Sequence, residues 1–179
     1  SGLGSLVAAM SESVERLRAA VRDVVDFPKK GIVFKDITTV LQDPELFRLA
    51  IAELLPGLKE LRIDKVVGID ARGFIFGAPV AYQTGAGFVP VRKKGKLPYK
   101  TIQTAYQLEY GEAVVEVHED AILPGERVLL VDDLLATGGT AAAAAQLLNE
   151  LGAELVGMHF LIELEVLAGR SKLPAEVPV

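Results

Sequence analysis

The chain has 179 residues, a length that suits one domain with a substantial core, and half of them are apolar, which excludes a disordered chain. A formal net charge of −5 argues against a general nucleic-acid binder, and every long apolar run is broken by charge short of a membrane span. With no cysteine, disulfides and thiolate metal sites are excluded, and a reducing, cytoplasmic compartment is expected.

Residues 1–10 lack a basic region followed by a long apolar core, so they do not read as a signal peptide. They are expected to be an expression remnant or a flexible tail, with Met10 a candidate start. Val14, Leu17, Val21, Val24 and Val25 fall on one helical face and predict a helix over 12–25. After the turn-rich "FPKKG", the stretch "DPELFRLAIAELL" predicts a helix with Asp43 as N-cap and Pro44 at its first position, stopped by Pro56 and Gly57. "KVVGI" (65–69) reads as a buried strand, "GFIFGAPVAYQTG" as a helix ending near Gly85, and "GFVPV" (87–91) as a short strand. The β-formers of 101–118 around Gly111 predict a hairpin. "RVLLV" (127–131) is a strand, "TAAAAAQLLNEL" a helix and "ELVGMHFLI" (154–162) a last strand.

Apolar strands alternating with helices predict an α/β fold with a mainly parallel sheet, in a single domain spanning 1–179. Ligands of such sheets bind at the carboxyl ends of the strands. Three predicted strand ends carry unusual residues, "GIDARG", "VRKKGK" and "VDDLLATGGT", and all three are expected to open on one edge.

In the third, Gly138 and Gly139 let backbone approach a ligand closely, and the helix beginning near Thr140 aims free N–H groups at it, with Thr137 and Thr140 adding hydroxyls. That describes a phosphate cradle, or merely a glycine-containing strand-to-helix turn. No Gly-Lys-Ser/Thr follows, so a nucleoside triphosphate is not implied. Asp132 and Asp133 weigh towards the cradle. Carboxylates beside a phosphate would repel it, so they are expected to face another part of the ligand; the vicinal hydroxyls of a sugar fit, and diol plus phosphate means a sugar phosphate. Their charge would also stabilise a sugar cation in a transition state. Arg72, between Ala71 and Gly73 at a strand end, is either a natural pyrophosphate fork or a plain surface arginine. Arg92, Lys93, Lys94, Lys96 and Lys100 form a basic run that is either a solvated loop or an anion contact. His118 and His159 are isolated and suggest no metal site.

"VLLVDDLLATGGT" resembles the phosphoribosyl-pyrophosphate motif of the type I phosphoribosyltransferases. "DFPKKGIVFKDIT", "GIDARGFIFG", "VRKKGKLP" and "LEYG" are similar to segments of that family's adenine-accepting members, so the resemblance runs from about Asp26 to Leu173. It implies the family's α/β fold, a mainly parallel sheet flanked by helices, with residues 101–118 as a small mobile hood. It further implies that Ala136, Thr137, Gly138, Gly139 and Thr140 hold the 5′-phosphate, and Asp132 and Asp133 the ribose hydroxyls. Asp70, Ala71, Arg72 and Gly73 match the pyrophosphate loop, in which an unusual cis peptide is often found, and Arg92 and Lys96 match its supplementary cations. The adenine pocket maps to Val33, Phe34, Lys35 and Leu164, with Lys35 standing where many relatives have Arg; Phe34 and Leu164 are residue types that equally serve a plain core. Glu109 matches the general acid/base, with Tyr106 and Tyr110 closing the hood. The implied reaction joins phosphoribosyl pyrophosphate, arriving with Mg²⁺, to adenine in a homodimeric enzyme. Another purine or orotate as the base, or a non-catalytic sensor of the same donor, are the alternatives.

Overall fold

The computed structural model describes residues 12–55, 57–108 and 111–179, and the chain forms two compact units, residues 1–56 and 57–179. In the first, helix α1 over 12–20 buries Leu17. The predicted helix to 25 stops there, because Arg22 to Val25 instead form strand β1 (Arg22–Val25), antiparallel to β2 (Val33–Asp36). Cross-strand ion pairs fix that ladder: Arg22 bonds Asp36 at 2.6 Å and Lys35 bonds Asp23 at 2.6 Å. The turn between them contains a cis Phe27–Pro28 bond, and the Asp26 carboxylate accepts from the Gly31 N–H at 2.6 Å. Asp36 then starts α2 (Thr38–Leu41) by accepting from the Thr38 N–H and hydroxyl. Helix α3 (Pro44–Leu54) begins as expected, with the Asp43 carboxylate accepting from the N–H groups of Glu45 and Leu46 at 2.9 and 3.0 Å. Of its predicted stop signals, Pro56 lies outside the described residues.

The second unit is built on a six-stranded sheet in the order β5-β6-β4-β3-β7-β8. Strands β3 (Lys65–Ile69), β4 (Gly87–Lys93), β7 (Arg127–Leu135) and β8 (Glu154–Glu163) run parallel. The hairpin β5 (Thr101–Leu108) and β6 (Gly111–His118) pairs antiparallel onto β4, so it extends the sheet at its edge. Helix α4 (Arg72–Thr84) joins β3 to β4 and ends on Gly85 in the left-handed conformation. Helix α5 (Gly139–Glu150) joins β7 to β8.

The two faces of the sheet are filled separately, following strand alternation. On one, Val67, Ile69, Val89, Val91 and Leu130 pack with Leu147, Leu148 and the alanines of α5, whose small side chains let helix and sheet approach closely. On the other, Gly68 and Phe88 meet Gly73 and Gly77 of α4. The sequence places β7 at 127–131, but it continues to Leu135 because the long β8 keeps pairing with it through Leu135↔Glu163. Pairing with β3 ends at Gly68↔Val131. Asp132 and Asp133 therefore lie within the strand rather than at its tip, one step beyond the last rung shared with β3. There the sheet splits into a crevice.

Candidate active site

The crevice holds a cavity of about 430 Å³ at the carboxyl ends of β3, β4 and β7, as the shared direction of these strands requires. Its first wall is the loop after β3, with Asp70, Ala71 and Arg72. The Asp70–Ala71 peptide bond is cis, and the Asp70 N–H donates to the Val91 carbonyl at 2.9 Å. Arg92 donates through Nε to the Asp70 carboxylate at 2.9 Å, tying the end of β4 to this loop. The Arg72 side chain is 48% exposed and donates through Nε to the buried Asp133 carboxylate.

The acidic pair forms the second wall. Asp132 also accepts, through Oδ1, from the Asp133 N–H at 2.9 Å. Burial, reinforced by the charge of Asp133 beside it, pushes the Asp132 carboxyl up to about 8. Two adjacent carboxyls present several acceptor positions to the cavity. That suits hydroxyl groups. Gly73 is packed against Asp132, where a Cβ would stand 2.8 Å from Oδ1.

Ala136 to Ala141 make the third wall. Gly138 has φ +86° and forms the N-cap of α5, so the chain turns sharply enough to aim the helix's first N–H groups into the cavity. No acidic residue stands in the first turn of α5 to compete for an anion. Tyr106 of β5 leans over this loop, its ring 3.4 Å from where a Gly139 Cβ would be.

Of the residues expected at the site, Asp70, Ala71, Arg72, Asp132, Asp133, Tyr106 and Ala136 to Thr140 line this one cavity. Arg92 and Lys96 do not. Arg92 is turned to Asp70, and its Nη1 reaches the Lys96 carbonyl at 3.5 Å. Lys93, which sequence reasoning did not single out, lines the cavity instead. Alternation explains the exchange: Val89, Val91 and Lys93 share the face that α5 covers, the side on which the loop of Ala136 to Thr140 lies. Leu164 follows β8, its N–H donating to the Leu135 carbonyl at 2.9 Å, and is not among the lining residues. Val33, Phe34 and Lys35 belong to the first unit, where the Phe34 ring packs edge-on against Phe27 at 5.2 Å. Glu109 and Tyr110 lie outside the described residues.

A parallel α/β sheet whose crevice joins an anion cradle, an acidic pair and an arginine loop defines a sugar-phosphate-binding protein. The chain belongs to the phosphoribosyl transferase domain family, whose model matches residues 38–175. It is similar to the adenine phosphoribosyltransferase of Acidothermus cellulolyticus, 58% identical over 91% of this chain and 92% of that one. The crystal structure of the Rhodothermus marinus adenine phosphoribosyltransferase superposes with a TM-score of 0.91 at 58% identity, covering 94% of this chain and 96% of that one. The Saccharomyces cerevisiae adenine phosphoribosyltransferase, solved with an imino-altritol bisphosphate and adenine, gives a TM-score of 0.89 at 41% identity, over 94% and 97%.

Proposed function

We propose that the protein transfers the 5-phosphoribosyl group of phosphoribosyl pyrophosphate to adenine, giving AMP and pyrophosphate, a purine-salvage reaction. The observation that carries this reading is the single cavity in which a phosphate cradle, a diol-suited acidic pair and Arg72 converge. The choice of adenine rests on the relatives' specificity together with the "GIVFKD" and "LEYG" segments.

In this reading, Ala136 to Thr140 and the α5 N-terminus hold the 5′-phosphate, and Asp132 and Asp133 orient the ribose hydroxyls. The C1′–oxygen bond to pyrophosphate breaks, its electron pair leaving with pyrophosphate, and an oxocarbenium-like C1′ develops beside the acidic pair. Arg72 and Lys93 face the departing charge. A ring nitrogen of adenine forms the new bond on the opposite face of C1′, inverting it, and its proton passes to Glu109. Val33, Phe34, Lys35 and Leu164 are the residues we assign to the base, with Tyr106 and Tyr110 closing over the donor to exclude water.

Among the described residues no three His, Asp or Glu side chains converge on a point, and at the cavity Asp70 and Asp133 are each engaged by an arginine. With those two carboxylates so engaged, magnesium arriving with phosphoribosyl pyrophosphate would be held through that substrate and water, and it would supply charge neutralisation of the pyrophosphate. Among the described residues no helix is long and apolar enough to cross a membrane. Cytoplasmic residence and a homodimer complete the reading.

The test is product formation from phosphoribosyl pyrophosphate and magnesium with adenine, hypoxanthine, guanine, xanthine or orotate supplied singly, followed by chromatography. AMP from adenine alone is expected, with Glu109→Ala inert. Another nucleotide would overturn the base assignment, and donor binding without any product would make the protein a sensor. Sedimentation of the purified protein reads the dimer.

A further inference from the structure

Gly169 carries no site role in the sequence reading and lies outside the cavity, yet it is buried against the back of the loop of Ala136 to Gly138. A Cβ on Gly169 would stand 2.4 Å from the Ala136 carbonyl oxygen and 3.2 Å from the Gly138 nitrogen. Reciprocally, a Cβ on Gly138 would stand 2.4 Å from the Gly169 carbonyl oxygen. Two backbones are thus in direct contact, with no side chain able to give way between them. Gly138 needs its glycine for a second reason, φ +86°, whereas Gly169 has no positive φ and tolerates alanine as far as its own backbone is concerned. Contact alone fixes its identity.

The segment carrying Gly169 is held at both ends. Its start is tied by the Leu164 N–H to the Leu135 carbonyl at 2.9 Å, and Leu173 is buried at its end. In between, Arg170 forks onto the Glu163 carboxylate at 2.7 and 2.8 Å and also donates to the Val179 carbonyl at 3.3 Å. Such a strap resists displacement, so the loop of Ala136 to Gly138 can rest on it without yielding.

We infer that Gly169 is a positioning residue for the sugar-phosphate half of the site: the strap of residues 164–173 sets the height of the cradle through Gly169. The inference rests on the phosphoribosyl reading above and adds a residue that touches no substrate. It makes a separable demand, because the cradle lies against Gly169 while the Asp70 to Arg72 loop is braced independently by Arg92 and the Val91 carbonyl.

Calorimetric binding of ribose 5-phosphate and, separately, of magnesium pyrophosphate to wild type and Gly169→Ala tests it. The expected result is a loss of at least tenfold in ribose 5-phosphate affinity with pyrophosphate affinity within about twofold of wild type, since displacing cradle N–H groups removes charge-assisted bonds from one ligand only. Unchanged ribose 5-phosphate binding overturns the inference, and so does an equal loss of both ligands, which would mark a general structural defect. If Gly169→Ala does not fold, Arg170→Gln decides. It removes the ties to Glu163 and Val179 without a clash while the Leu164 and Leu173 anchors stay, and it must weaken ribose 5-phosphate selectively or the inference falls. Wild type binding neither ligand would remove the phosphoribosyl reading itself, and this inference with it; wild type binding both beside an unaffected variant would remove only the inference.

Discussion

Lys93 and Lys96 stand three residues apart in one basic turn, yet only Lys93 lines the cavity. A lysine facing a pyrophosphate is worth about 1.5–3 kcal/mol, the range for hydrogen bonds to charged groups. Lys93→Ala is accordingly expected to raise the KM for phosphoribosyl pyrophosphate by roughly ten- to a hundredfold, and Lys96→Ala by much less. Steady-state kinetics at saturating adenine decides it; a larger effect at Lys96 would reverse the assignment. At this scale the sequence exposes the acidic pair, the glycine loop and Arg72, because paired charges and bare backbone directly after an apolar run are not explained by packing alone. It does not expose Lys93 or Gly169. Selecting one lysine from a basic run needs the strand's register, and Gly169 matters only through a chain segment more than twenty-five residues distant.

Among the elements, α3 is announced most clearly, since Asp43 and Pro44 satisfy the helix start by purely local chemistry. Asp43→Ala leaves the N–H groups of Glu45 and Leu46 without that acceptor and should cost about 1 kcal/mol, lowering the melting temperature by about 2–4 °C. Calorimetry checks this, with ribose 5-phosphate affinity unchanged; no shift would mean that water caps the helix equally well. The start of the chain shows the opposite case. Val21, Val24 and Val25 have helical spacing, but cross-strand pairing with Val33 to Asp36, sealed by the Arg22–Asp36 and Lys35–Asp23 ion pairs, outweighs local periodicity. Strand β7 outruns its apolar stretch for a related reason: β8 offers it a ladder that hydropathy cannot reveal.

For the molecule as a whole, a carboxylate pushed up by burial and half-buried, hydrogen-bonded ones pull the pH dependence of stability in opposite directions. Asp132, held up to about 8, keeps in the folded state a proton that the unfolded chain releases above 3.8, so it makes stability fall as pH rises between those values. Asp36, lowered to about 2 chiefly by the Thr38 hydroxyl and N–H, does the reverse, contributing stability above 3.8 that is lost as pH falls towards 2. Asp64, Glu126 and Glu163 act in the same sense as Asp36, held down chiefly by the Arg127 N–H, the Leu123 N–H and the Arg170 fork respectively. The melting temperature should therefore peak in mildly acid solution, around pH 5, and decline towards pH 8. Asp132→Asn is expected to flatten that decline and melt higher than wild type at pH 8. Parallel curves for the two proteins would refute the assignment. By itself the sequence determined the α/β class, the order of its elements in the larger unit and the chemistry of the sugar-phosphate site, because apolar periodicity, helix caps and the glycine-rich turn act within a few residues. Only the tertiary structure decided where β7 ends, which lysine lines the cavity and which segment packs against the loop of Ala136 to Gly138. Those depend on strand register and on backbone contact between distant segments, which local chemistry does not encode.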